Sequence, residues 1–208
     1  MTTAAVFGCT GAVGSQILAT LLVTDTFSAV KTISRRLPNA QSAKLEALEE
    51  SDTSKWGSMI SSLSPNPSMV FNAVGTTTAT AGSIKNQWKI DHDLCVENAQ
   101  AAKEAGGEDM KVGVEDAIKD LGFDNAVILR PGMIIGREES KSFLLEKFVE
   151  GLQRLGQGVQ DKVGQNQTTI GRAAVAAARM AEQGKAPSNY WVLEQADIVR
   201  LGRDGWKE

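Results

Sequence analysis

The chain has 208 residues, 42% of them hydrophobic and 23% charged, with a formal net charge of −3 at pH 7. That length suits one core of roughly 100–200 residues with a small addition, and not two full domains. The mixture is that of a folded globular protein, and its acidic balance leaves no basic footprint for nucleic acid as a partner.

Ala4–Phe7 is an apolar run that stops at a glycine, the pattern of a strand covered on both faces. Gly8-Cys9-Thr10-Gly11-Ala12-Val13-Gly14 follows, and then a helix whose apolar face is Ile17, Leu18, Leu21 and Leu22. A second strand, 29–34, ends at Arg35-Arg36, which completes a strand, glycine turn, helix, strand unit. Residues 45–51 hold a third strand of poor propensity, and 69–75 a clearer one ending in a glycine turn. Ile84 to Ala105 reads as one long helix with Ile84, Trp88, Leu94, Cys95, Ala99 and Ala102 inward, closed by Gly106-Gly107. Met110, Val114, Ala117, Ile118 and Leu121 recur at helical spacing, with Gly122 as the cap. Residues 126–129 form a strand running into Arg130-Pro131-Gly132. The remainder reads as helical over 143–155 and 170–182, with a short apolar piece at 190–193.

The expected fold is an α/β, Rossmann-like, doubly wound parallel sheet: one dinucleotide-binding domain over 1–208, with a small helical appendage from about 137. One step in the order of elements is irregular. The helices over 84–105 and 110–121 are consecutive, although each crossover in such a sheet must return the chain to a strand. A strand with its loops is therefore expected to be missing. Its loss should open a gap in the sheet or bring 126–129 beside 69–73, leaving backbone groups in need of partners.

The glycine turn carries the strongest chemical signal. Gly8 permits the tight exit from the strand, Gly11 lets backbone approach a diphosphate, and Gly14 lets the helix pack close. With Thr10, Ala12 and Val13 they would present free N–H groups and the helix's positive end to phosphate oxygens. A packing turn without ligand is the alternative reading. At the end of the second strand an acidic residue would suit the ribose 2′-hydroxyl of NAD(H). Arg35 and Arg36 stand there instead, and forked cations suit the 2′-phosphate of NADP(H); a solvated basic pair is the plainer reading. Asp52 could accept from the adenine amino group or cap the next helix. Asn72, Ala73, Val74 and Gly75 lie at a strand's carboxyl end, where open α/β sheets place ligands. His92, the lone histidine, sits among charges on a helix and reads as a surface or capping residue. Cys9 reads as a small filler, and Glu138-Glu139 and the charges over 200–208 as solvated faces. Two cysteines cannot build a disulfide framework and suit a reducing compartment. No stretch reaches the ~20 apolar residues that span a bilayer, and no basic segment precedes the first strand, so no targeting signal is visible.

The motifs AVFGCTGAVGSQIL, ISRR, DTSKW, FNAVGTTTATAG, KIDHDLCVENAQAAKEAG, LGFDNAVILRPGMIIGREES, IGRAAVAAARMA and ADIVRLGRDGWKE span nearly the whole chain. They resemble the fungal "found in mitochondrial proteome" family of atypical short-chain dehydrogenase/reductases, relatives of the animal Tat-interacting oxidoreductase. The resemblance implies an NADP-type fold attached peripherally to the mitochondrial outer membrane on its cytosolic face. It leaves the substrate and the oligomeric state open. Such enzymes use a Tyr-x-x-x-Lys pair, in which tyrosine moves the proton and lysine lowers its pKa and holds the nicotinamide ribose. By the resemblance Lys111 takes the lysine position, as a catalytic remnant confined to ribose binding. Gly107 stands four residues before it, and the chain's one tyrosine, Tyr190, is remote. A mispredicted exon, residues left out of the chain and a real shortened paralogue all fit this gap. The function implied is an NADP(H)-binding oxidoreductase-like protein, weak or inactive for want of the tyrosine. The alternative is a nucleotide-sensing interaction or scaffold protein on the mitochondrial surface. No metal is expected.

Overall fold

The computed structural model describes residues 2–105, 109–111, 115–135 and 164–207. β1 (Thr2–Phe7) is buried at every position, as a strand covered on both faces must be. It leads through the glycine turn to α1 (Ala12–Val23) and then to β2 (Phe27–Ser34) and β3 (Leu45–Glu49). A 3-10 turn precedes α2 (Trp56–Ser61), and β4 (Met69–Asn72) follows. α3 (Thr78–Ala81), α4 (Ile84–Trp88), a π-helical turn (Lys89–Asp93) and α5 (Leu94–Glu104) return the chain to β5 (Asp109–Lys111). After α6 (Glu115–Asp120) come β6 (Asn125–Leu129), β7 (Met133–Ile135), β8 (Gly164–Asn166) and α7 (Gln167–Glu182). β9 (Tyr190–Leu193), α8 (Gln195–Val199) and a second π turn (Arg200–Asp204) close the described chain.

Seven strands form one sheet in the order β3-β2-β1-β4-β5-β6-β9, and β7 pairs with β8 separately. Every pair in the seven-stranded sheet is parallel. The order runs outward in both directions from β1 and β4, so the sheet is doubly wound and Rossmann-like, with its switch point between those strands.

Alternation along β1 sends Phe7 and Val6 to opposite faces. Phe7 packs with Trp56, Ile60, Val70 and Ala99 under α2 and α5. Val6 packs with Leu18, Leu21, Phe71, Ala174 and Ala178 under α1 and α7. The buried face of α7 is mostly alanine, which lets that helix lie close to the sheet and to α1; a Cβ on Gly171 would come within 2.8 Å of the Gln16 Cβ. β9 extends the sheet beyond β6, and α7 and α8 cover that end, Ala177 and Ile198 packing in one cluster with Leu193 of β9. Residues from 164 onward, within the stretch expected as an appendage, are thus built into the same layers.

Three expectations need correction. The first is the gap. The sheet is continuous, because Asp109–Lys111 fills the slot between β4 and β6 (Val70↔Met110↔Ala126). Residues 110 and 111, expected at the start of a helix, are drafted as strand, since the unpaired edges of β4 and β6 both require partners. The helix that remains begins at Glu115. The second is the inward face of the long helix. Leu94, Cys95, Ala99 and Ala102 are buried, but Ile84 and Trp88 are 76% and 60% exposed. The π turn at Lys89–Asp93 inserts an extra residue and rotates the preceding turn off the core-facing stripe. The third is that 126–129 does not lie beside 69–73. Gly106-Gly107, Glu138-Glu139 and the helix expected over 143–155 lie outside the described residues.

Candidate functional site

Parallel register fixes what shares the carboxyl edge of the sheet. Phe7 stands level with Ile33 on one side and with Asn72 on the other, and Ser34 stands level with Glu49. The residues that follow these positions, Gly8–Gly14, Arg35-Arg36, Asp52 and Ala73–Gly75, therefore emerge together at the switch point, where open α/β sheets bind ligands.

The glycine turn is built by close backbone approach. Gly8 has φ +72, and a Cβ there would lie 2.6 Å from the Ala73 carbonyl oxygen. Gly11 donates its N–H to the Gly8 carbonyl at 2.9 Å and is the N-cap of α1, with no side-chain cap over the free amides. Gly14 is buried against the Gly8 carbonyl, where a Cβ would stand only 2.1 Å from the oxygen. At Gly11 a Cβ would meet the Gly8 oxygen alone, at 3.3 Å. Thr10 and Gly11 are exposed, so α1 presents its positive end through uncapped N–H groups to open space. Cys9 turns inward as a filler, 1% exposed.

Arg35 and Arg36 are both exposed, and among the described residues neither guanidinium has an ion-pair or hydrogen-bond partner. The strand end is held by Ser34, whose hydroxyl donates to the Arg36 carbonyl at 2.6 Å. Asp52 is the N-cap of the 3-10 turn, accepting from the Ser54 hydroxyl at 2.6 Å and the Ser54 amide at 3.1 Å. The hydroxyl bond first, then the amide bond, holds its carboxyl below the usual range. Asp52 is exposed, so capping leaves its outer face accessible.

The loop after β4 is braced from two sides. Asn72 accepts the Val74 amide at 3.1 Å. Asp91 accepts the Thr76 amide at 2.7 Å with one carboxylate oxygen and the Gln87 side-chain amide at 3.1 Å with the other. Sequence reasoning missed Asp91 as the residue that shapes this loop. Its partner is fifteen residues away, a separation without periodic meaning, and only the π turn aims it back at the loop. His92 stacks on Trp88 with ring centroids 4.6 Å apart and pairs with Asp93 at 3.0 Å, a surface arrangement.

Beneath the loop, the Cys95 thiol reaches the carbonyls of Val74 and Ile90 at 3.6 Å. Burial, with the Asp91 carboxylate adding to it, pushes that thiol up to about 12 from its ordinary 9.0. Ionisation favours the unfolded chain, so this contribution to stability is whole below about pH 9 and is lost as pH rises towards 12. Denaturant unfolding at pH 8 and at pH 10.5 should show a smaller loss across that interval for Cys95→Ala than for the wild type. Equal losses would show that this thiol is not the group responsible.

Lys111 is placed by its backbone, level with Phe71 on β4 and Val127 on β6, one step short of the carboxyl edge. Tyr190 opens β9, level with Ala126 near the start of β6, and thus lies at the opposite edge of the sheet from the glycine turn. Among the described residues no group of three or more His, Cys, Asp or Glu could hold a metal ion, and no helix is long and apolar enough to cross a membrane.

No family model matches the chain. Individual relatives do. The mitochondrial protein fmp52-2 of Neosartorya fischeri is 70% identical over 229 residues, covering 100% of this chain and 99% of that protein. Its counterpart in Aspergillus oryzae is 67% identical and covers 100% of both chains. Protein fmp-52 of Neurospora crassa is 47% identical, covering 100% of this chain and 98% of the other. The first two alignments run over 229 positions against the chain's 208 residues, so 21 positions have no counterpart in it.

Among solved structures, MoeE5 in complex with UDP-glucose and NAD superposes with a TM-score of 0.63 at 14% identity, covering 97% of this chain and 81% of that one. The enzyme WbmF of Bordetella bronchiseptica in complex with NAD+ gives 0.65 at 13%, with 93% and 72% covered. A short-chain dehydrogenase family protein of Francisella tularensis gives 0.62 at 11%, with 96% and 99% covered. At such identities the likeness is one of fold, and it agrees with the sheet order. The chain belongs to the fungal FMP52 family.

Proposed function

We propose that this protein binds NADP(H) at the switch point and is weak or inactive as an oxidoreductase in the form given by this sequence. The observation that carries the first part is the shared edge. An uncapped helix N-terminus with a bare Gly11 stands beside two unengaged guanidinium groups, one strand apart. A diphosphate against Gly8, Thr10, Gly11, Ala12, Val13 and Gly14 would meet free amides. Arg35 and Arg36 would take the 2′-phosphate, Asp52 the adenine amino group, and Asn72–Gly75 the adenosine side. Solved structures of the same fold hold NAD, which supports a nicotinamide dinucleotide; the arginine pair selects the phosphorylated form.

Weak or absent turnover is supported by the placement of tyrosine. Tyr190 is on the far edge of the sheet, and the relatives align over 21 more positions than this chain has. With no phenol at the site, Lys111 would keep only a ribose contact. The names of the relatives support mitochondrial residence, and we place the protein peripherally on the cytosolic face of the outer membrane.

Cofactor choice is tested by thermal unfolding. A ligand at a hundred times its Kd stabilises the native state by about 2.7 kcal/mol. NADPH should raise the unfolding temperature well beyond NADH at equal concentration, and Arg35→Ala/Arg36→Ala should erase the difference. Equal shifts with both cofactors in the wild type would refute the assignment of the arginine pair.

A further inference from the structure

A second concavity lies away from the glycine turn. It is a groove of about 1060 Å³ between the end of α1, the outer side of α7 and the last described residues, Gly205–Lys207. Its opening at Val23–Thr26 is at the far end of α1 from the dinucleotide turn, and a twelve-residue helix puts these ends about 18 Å apart. Ala19, Val23, Ala176 and Met180 give it an apolar floor.

The charge around that floor is one-sided. Among the described residues, Arg172, Arg179, Lys185 and Lys207 line the groove against a single carboxylate, Asp25, in a chain whose net charge is −3. The Arg179 side chain makes no hydrogen bond or ion pair among the described residues, and its Nε is shielded from water without a partner. The indole Nε1 of Trp206 is in the same condition. The Arg172 guanidinium lies 5.7 Å from the centre of the Trp206 ring, a cation–π contact that fixes the ring at the groove wall. Sheltered donors without acceptors are costly. A turn about the terminal bonds of Arg179 brings its five-donor fork to bear on an oxyanion in the groove. The volume exceeds what a lone phosphate needs and stands at the upper end of small-molecule sites, about 300–1,000 Å³.

We infer that this groove is a binding site for an anionic amphiphile, with a phosphate-type head on Arg179 and Trp206 and an aliphatic tail along the floor. The inference stands apart from the dinucleotide reading. It is tested by calorimetry on the full chain with decyl phosphate, decanol and inorganic phosphate, each with and without excess NADPH. Decyl phosphate should bind at least tenfold more tightly than either decanol or phosphate, with the same affinity in the presence of NADPH. Arg179→Gln should weaken it tenfold or more. Trp206→Phe, which keeps an aromatic ring for Arg172 but removes the indole N–H with one of its two fused rings, should weaken it severalfold. Decanol binding as well as decyl phosphate, affinity unchanged in both variants, or displacement by NADPH would each overturn the proposal. If NADPH itself fails to bind, the comparison of the three ligands and the two variants still decides this question.

Discussion

Gly14→Ala is expected to remove a large part of the protein's stability, whereas Gly11→Ala should leave a stable fold that no longer holds a dinucleotide. The two glycines are three residues apart in one turn, and the difference lies in what a methyl group would meet. At position 14 a Cβ stands 2.1 Å from the Gly8 carbonyl oxygen and 2.7 Å from its carbon, both of them backbone. Overpacking a core commonly costs ~1–3 kcal/mol when side chains can adjust. Here the helix must lift off the turn that joins it to β1, and we expect about 3 kcal/mol or more. Against a total stability of roughly 5–15 kcal/mol, that is a large fraction. At position 11 the added carbon touches one atom at 3.3 Å and sits at an extended φ of −82, so stability should change by less than about 1 kcal/mol. It fills the space through which a diphosphate would reach the amides. Denaturant unfolding and NADPH titration on both variants check the pair. A stable Gly14→Ala protein, or a Gly11→Ala protein that binds NADPH normally, would contradict this account.

Restoring the 21 positions that the relatives possess, from the Neosartorya fischeri protein, is expected to raise NADPH-dependent reduction of aldehydes, ketones or quinones by 10²- to 10⁴-fold. That is the range general acid–base catalysis contributes, and the family resemblance puts the tyrosine four residues before Lys111, where this chain has Gly107. A Tyr→Phe change within the restored segment should remove the gain while leaving NADPH binding as it was. The short chain should show NADPH binding without appreciable turnover across the same panel. Turnover by the short chain at the level of the restored one would refute the proposal of inactivity.

The sheet was legible in the sequence wherever a continuous apolar run led within a few residues to a glycine. β1, β4 and β6 all fall where that pattern puts them, and the turn between β1 and α1 follows from its three glycines. Even β3, with two glutamates among its five residues, lies where a weak strand was expected. Its stability comes from pairing with β2 along an exposed edge, which propensity cannot register. Two things escaped. The spacing of Met110, Val114 and Leu121 fits a helix, but the open slot between β4 and β6 outweighs periodicity for residues 109–111. The π turn was invisible because a one-residue insertion in a helix leaves no compositional mark, so Ile84 and Trp88 were expected on the wrong face. The same turn positions Asp91, which explains why the brace on the loop after β4 was missed along with it.

The short β5 also changes how forces pass through the molecule. Three residues bridge β3-β2-β1-β4 on one side and β6-β9 on the other, so few amide bonds tie the two groups of strands together there. α7 spans the seam instead, packing its alanines on α1 and the first group through Ala174 and Ala178, and on the second through Ala173 and Ala177. A motion begun at the glycine turn would thus reach β9 and the chain's end along a helix-to-helix contact, with the strands as passengers.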